Sequence, residues 1–190
     1  NCVTSLKNLC ISNNKILNIT FININYGVLS LKPLSNENLD DLYDFYFNGL
    51  NDISRNQFPP YPLFKPELKT KDELYKRFNE WIKEKDWFFW ILSNGDTIGV
   101  SVLKKLNWKD DKESPNRTPT SGLAVAERYK RKGFGYFLQK ISEFQALLYG
   151  ERKIFVTVKE NNIASINVCK KSGYIETGRI IPKYKIVDGE

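Results

Sequence analysis

Apolar side chains recur along the chain with two different periods, and these periods predict its strands and helices. Apolar and polar residues alternate in ILNITFININ, which is typical of a half-buried strand, whereas GFGYFLQKISEFQALLY has helical spacing. Two apolar runs flanking Asn-Gly-Asp indicate a hairpin. The predicted order is a polar tail at 1–14, strands at 16–25 and 26–34, helices at 37–48 and 70–85, a hairpin at 87–106, a strand at 120–126, a helix at 133–149, a strand at 153–158, a helix at 162–172, and one or two strands at 174–187.

Capping residues mark the ends of several of these helices. Ser35 precedes the first helix, and Thr70 with Glu73 forms a capping-box pattern for the second. Gly150 and Gly173 follow the last apolar positions of the two later helices. The strand and helix order predicts an α+β fold around a central mixed sheet.

Composition restricts the chemistry that this fold could perform. The 190 residues suffice for one domain, and 41% hydrophobic with 27% charged residues is a globular balance. The chain has no histidine, which excludes Ser-His-Asp triads and most transition-metal sites. Three widely spaced cysteines argue against a disulfide framework. With no signal-peptide pattern and no apolar run of ~18 residues, we expect a cytoplasmic protein without membrane or metal partners.

The net charge of +7 is concentrated beside a glycine-rich turn. In RYKRKGFGYFLQK, residues 128–140, four cationic side chains lie just ahead of Gly133 and Gly135, where a strand turns into a helix. Unpaired N–H groups at a helix start bind anions, and glycine lets a ligand approach the backbone closely. A Walker loop is absent, and Leu138 stands where a dinucleotide fingerprint needs a third glycine. The simpler alternative is a surface turn with solvated lysines.

KRKGFG resembles the pyrophosphate-binding loop, [Q/R]-x-x-G-x-[G/A], of the GCN5-related N-acetyltransferases (GNAT). Lys130 stands where that family usually has Gln or Arg, which keeps the positive charge. GLAVAERYKRKGFG is similar to the family's fourth strand and following loop, and VKENNIASINVCKKSGYIETG to its last conserved helix. The N-x-x-S form of the latter, with LSLKPLSNENLDDLYDFY, is similar to the RimJ/RimL subgroup. The likeness runs from about residue 27 to the end of the chain.

The resemblance implies a GNAT fold, with a mostly antiparallel mixed sheet flanked by about four helices, and acetyl-CoA as co-substrate. The loop backbone and its cations would hold the pyrophosphate, and the GLAVA strand edge would pair with the pantetheine. An amide on that strand would polarise the acetyl carbonyl. The implied cofactor-binding residues are Leu123, Val125, Lys130, Arg131, Lys132, Gly133, Phe134, Gly135, Tyr136 and Asn162.

The residues that would move protons depart from the family pattern. Many relatives have a glutamate base two residues before the glycine matching Gly122, but this chain has Thr120. Carboxylates of the 107–119 segment, Asp110, Asp111 and Glu113, are alternative bases. Cys169 stands where many relatives have a tyrosine acid, and Ser165 lies one helical turn earlier. The candidate catalytic residues are Ser165, Glu113 and Cys169, with packing as the alternative role of the thiol.

The expected activity is therefore acetyl transfer from acetyl-CoA to a primary amine by direct attack. A coenzyme A-binding regulatory protein of weak catalytic power is the alternative, and Thr120 and Cys169 support it. We expect residues 26–190 to form the acetyltransferase domain and residues 1–25 an N-terminal extension carrying a tail and an additional strand. We expect an amine acceptor and no nucleic acid as partners, and a homodimer stays open.

Overall fold

A six-stranded antiparallel sheet in the order β1-β2-β3-β4-β5-β6 forms the centre of the molecule. The computed structural model describes residues 4–13, 15–57, 70–81, 87–105 and 119–178. Each strand pairs with the next along the chain. The strands are β1 (Thr4–Ser12), β2 (Lys15–Asn23), β3 (Gly27–Pro33), β4 (Trp87–Ser93), β5 (Thr97–Lys105) and β6 (Pro119–Val125).

The prediction of a polar tail at residues 1–14 is wrong, because Thr4–Ser12 is strand β1. It forms a hairpin with β2, in which Leu6 pairs with Phe21 and Leu9 with Ile19. The apolar residues of β1 therefore lie on the face of the sheet that carries the core. Register shifts between Leu6 and Asn8 and between Cys10 and Ile11 interrupt the two-residue period, so polarity alone does not reveal the strand.

Within the described residues, five α-helices accompany the sheet: α1 (Leu39–Asp44), α2 (Asp52–Gln57), α3 (Lys71–Trp81), α4 (Phe134–Leu148) and α5 (Ile163–Ser172). The predicted helix at 37–48 is split, because a π turn, Phe45–Gly49, follows α1. The α3 capping box is confirmed by mutual hydrogen bonds of 3.2 Å between Thr70 and Glu73. Helix α2 was not predicted, since its six residues lack a helical apolar period.

The β4–β5 hairpin is confirmed and passes through the middle of the core. Trp90, Leu92, Ile98 and Val100 are all buried. Helix α4 packs on β5 so closely that a Cβ at Gly99 would lie 2.8 Å from Leu138 Cδ1 and 2.7 Å from the Ala124 carbonyl oxygen. This packing fixes the start of α4 relative to β6.

The strand predicted at 153–158 is not formed. Phe155 makes an isolated bridge, in which its carbonyl oxygen accepts from Ser121 N–H at 3.2 Å, and residues 156–159 have no strand geometry. The segment IFVTV, whose residues favour strands, thus diverges from β6 after the single bridge at Phe155. Residues 174–178 also lack regular structure, and the remainder of the last predicted strand lies outside the described residues.

Candidate functional site

The outer edge of β6 forms one wall of the candidate site. Ser121 N–H points away from β5 toward Phe155, whereas Ala126 N–H points back to Ile98 O on β5. Backbone groups alternate between the two edges of an antiparallel strand. The N–H and C=O groups of Leu123 and Val125 therefore point to the outer edge, where Phe155 and the segment after it diverge.

The glycine loop connects β6 to α4. After the 3₁₀ turn Glu127–Tyr129, Arg131 has a φ of 60° and Gly133 a φ of 91°, and α4 begins at Phe134. The Phe134 side chain is 2% exposed and contacts Tyr26 and Tyr129 edge-on. Since its ring belongs to the core, Phe134 can serve a ligand only through its backbone. The loop leads into a 15-residue helix whose first N–H groups have no partner within the helix, an arrangement that is able to bind an anion.

The three loop cations are placed differently. Lys130 Nζ lies 2.8 Å from Glu127 Oε1 and 2.6 Å from Ser54 Oγ. Lys132 Nζ donates to Arg128 O at 2.8 Å and lies over the Tyr26 ring at 5.3 Å. Arg131 is exposed. The first two cations thus contact the protein itself in addition to charging the loop.

Gly135 brings the first turn of α4 against α5 and β6. A Cβ at this position would lie 3.4 Å from Val168 Cγ2 and 3.8 Å from Leu123 Cδ1. The half-buried Tyr136 follows, with Lys171 Nζ 5.0 Å from its ring centroid. The first turn of α4, helix α5 and the outer edge of β6 therefore border the same space.

Helix α5 and its N-cap residue supply three of the predicted site residues. Asn162 caps the helix, accepting Ser165 N–H on Oδ1 at 3.1 Å. Burial raises the pKa of the half-buried Cys169 thiol, and the charge of Glu143 acts in the same direction, whereas a hydrogen bond with Ser165 opposes both. Cys169 is thus a neutral thiol at neutral pH, paired with Ser165 and unsuited to act as a nucleophile.

Comparison with known proteins agrees with this geometry. The model of the acetyltransferase (GNAT) family matches residues 47–174. This chain belongs to that family. An N-alpha-acetyltransferase of Sulfurisphaera tokodaii is 27% identical over 123 residues, covering 61% of this chain and 72% of the relative. The predicted acetyltransferase class is confirmed.

Two solved structures share the fold. The GNAT domain of S. lividans PAT has a TM-score of 0.65 at 18% identity, covering 83% of this chain and 88% of that one. A spermidine N-acetyltransferase from Vibrio cholerae, solved with CoA and spermine, has a TM-score of 0.62 at 20% identity, covering 80% of this chain and 84% of that one. The predicted GNAT fold is confirmed.

Some predicted site residues lie beyond what the structure describes. Glu113, Asp110 and Asp111 are outside the described residues, and Thr120 is placed in β6 by its backbone alone. Within the described ranges, no group of three or more Cys, Asp or Glu residues could hold a metal ion. None of the helices in those ranges is long and apolar enough to cross a membrane.

Sequence patterns missed a buried polar cluster behind β6. Gln139 Nε2 donates to Ser121 Oγ at 2.9 Å and to Tyr174 Oη at 2.7 Å. Burial raises the pKa of Tyr174, and the charge of Glu143 adds to this rise. The cluster holds α4 against β6 and leaves the phenol protonated. The sequence signal that could have indicated this cluster is Gln139, a polar residue on the apolar face of α4.

Proposed function

We propose that this GNAT-family protein transfers the acetyl group of acetyl-CoA to a primary amine by direct attack in a ternary complex. The observation that carries this proposal is the outer edge of β6, whose Leu123 and Val125 amides point to the side on which Phe155 diverges, next to the glycine loop at the start of α4. A peptide-like arm can pair with such a strand edge while its phosphates lie at the helix start.

In this proposal, the chain holds acetyl-CoA mainly through its backbone. The N–H groups from Arg131 to Tyr136 take the pyrophosphate, and the side chains of Arg131 and Lys132 supply charge. Lys130, Gly133, Phe134 and Gly135 contribute through the shape of the loop. Leu123 and Val125 pair with the pantetheine. Asn162 acts by capping α5 beside the arm.

The same β6 edge would polarise the acetyl carbonyl. As the amine attacks, negative charge grows on the acetyl oxygen, and an outward N–H of Leu123 or Val125 is the donor proposed for it. By analogy with oxyanion holes, one such donor contributes roughly 2.7–4 kcal/mol to transition-state stabilisation.

Proton transfer in this proposal relies little on side chains of the strand and α5. The amine loses its proton to Glu113 or to solvent, because β6 carries Thr120 where many relatives have a glutamate. The departing thiolate receives a proton from solvent or from the Ser165–Cys169 pair, whose thiol is neutral at neutral pH. A thiolate is a tolerable leaving group, so this second transfer is dispensable.

The proposed acceptor is the α-amino group of a protein or peptide, as in the RimJ/RimL subgroup. The likeness to an N-alpha-acetyltransferase supports this class over polyamines. We include a homodimer in the proposal, since the edge strand β1 exposes Leu6 at 59% and both Leu9 and Ile11 at 38%. Light scattering on a sizing column would test that assembly.

The activity is tested by incubating the protein with acetyl-CoA and a panel of peptides with free N-termini, spermidine and an aminoglycoside. Mass spectrometry should detect a peptide product heavier by one acetyl group. Binding of coenzyme A without any acetylated product would favour the regulatory alternative. Absence of coenzyme A binding would overturn both.

A further inference from the structure

The carboxylate of Glu127 lies at the contact between the glycine loop and helix α2. Its Oε1 accepts from Ser54 Oγ at 2.6 Å, from Lys130 Nζ at 2.8 Å and from Asn51 N–H at 3.4 Å. Lys130 Nζ also donates to Ser54 Oγ at 2.6 Å, which closes a triangle. Burial alone would raise the pKa of Glu127, but these hydrogen bonds lower it, so the group is ionised at neutral pH.

The segment on the other side of this contact is well anchored. Asn51 Oδ1 accepts Ser54 N–H at 2.8 Å at the start of α2, and Leu50 is buried. A Cβ at Gly49 would lie 3.6 Å from the Cβ of Ala126, immediately before Glu127. Ser54 is itself buried. Glu127 therefore ties the loop to a fixed part of the fold that lies 73 residues away in sequence.

We propose that Glu127 is a positioning residue for acetyl-CoA, acting with Ser54 and Lys130 to hold the glycine loop in its binding shape. This inference rests on the proposed function. In it, the Lys130 ammonium orients the loop and does not neutralise phosphate, because Glu127 already balances its charge. Arg131 has a φ of 60°, a conformation that costs a residue with a Cβ free energy, so contacts from outside the loop help to hold its amides aligned.

The positioning role and plain electrostatics predict opposite results for one substitution. Removing a negative charge beside an anion site should tighten acetyl-CoA binding if charge alone matters. If Glu127 positions the loop, Glu127→Gln should weaken binding, because Lys130 loses its charged partner and Ser54 its strongest acceptor. The sign of the change therefore discriminates between the two roles.

The test measures acetyl-CoA affinity by calorimetry at several salt concentrations for Glu127→Gln, Ser54→Ala, Lys130→Gln and the Glu127→Gln/Lys130→Gln double variant. Asp96→Asn is the matched control, since Asp96 pairs with another loop cation, Arg128, at 2.8 Å but both side chains are well exposed. Arg131→Gln serves as the reference for a cation that faces solvent. Urea unfolding of each variant checks that the fold is kept.

We expect each single variant of the triangle to raise Kd about three- to tenfold, with the double variant no weaker than about the worse single one. The slope of log Kd against log salt should stay unchanged in Lys130→Gln and fall in Arg131→Gln. Asp96→Asn should bind as the wild type or slightly tighter. Tighter binding by Glu127→Gln, or a reduced salt slope in Lys130→Gln, would overturn the inference and leave the proposed function intact. Failure of the wild type to bind would instead refute the proposed function.

Discussion

Substitution of Gly133 by alanine tests whether the conformation of the glycine loop determines acetyl-CoA affinity. Gly133 has φ 91° and ψ −9° directly before α4, a region that costs a residue with a Cβ on the order of 1–3 kcal/mol. The free loop can relieve this strain by rotating the N–H groups at the helix start. Acetyl-CoA binding must then restore the strained conformation, and this cost weakens the affinity. Because about 1.4 kcal/mol corresponds to a tenfold change, we expect Kd to rise about tenfold.

Gly150→Ala provides the control for this experiment. Gly150 has φ 77° at the other end of α4, and a Cβ there would meet nothing within 4 Å. Gly150→Ala should therefore lose roughly 1 kcal/mol or more of unfolding free energy. Gly133→Ala should lose less, because rotation of its loop relieves the strain in the free protein. Calorimetry should find weakened acetyl-CoA binding only in Gly133→Ala. A Gly133→Ala protein that loses stability as Gly150→Ala does, yet binds acetyl-CoA as the wild type, would show that the loop conformation does not determine affinity.

The remaining predictions concern packing and proton transfer. Gly99→Ala should lower the unfolding free energy in urea by about 1–3 kcal/mol, since its Cβ would lie 2.7 Å from the Ala124 carbonyl oxygen. Gly122→Ala, whose Cβ would meet nothing within 4 Å, should stay within about 0.5 kcal/mol, and equal losses would contradict this packing. kcat/KM should rise into the alkaline range with the pKa of the acceptor amine, and Glu113→Gln should reduce kcat most. Cys169→Ala should reduce kcat by less than about threefold, and a fall of about a hundredfold would identify its thiol as the proton donor.

Local patterns predicted those parts of the fold that local physics determines. The β4–β5 hairpin and α4 were predicted because turn residues and helical spacing are read within a few positions. Strand β1 was missed because its pattern becomes visible only when it pairs with β2. Residues 153–158 have strand composition, but within the described part of the chain they pair with β6 at Phe155 and form no ladder there.

The candidate site likewise has parts that short sequence motifs predict and parts that form only between distant residues. The glycine loop and the Asn162 cap belong to short motifs, so their positions could be recognised from the sequence. The contacts of Glu127 with Ser54, and of Gln139 with Tyr174, join residues far apart in the chain. No spacing rule brings such pairs together, and the tie between Lys130 and α2 became apparent only in the folded chain.

Transfer of an acetyl group from acetyl-CoA to an amine releases one free thiol for every acetylated amine, so measuring both products together tests the proposed activity. Acetyl-CoA and a peptide with a free N-terminus are mixed with the protein, while free thiol and acetylated peptide are quantified in the same samples. Both products should appear at equal rates, and Gly133→Ala should slow the appearance of both at subsaturating acetyl-CoA. Thiol release without acetylated product, or saturable acetyl-CoA binding with neither product across the panel of amines, would contradict the proposed activity.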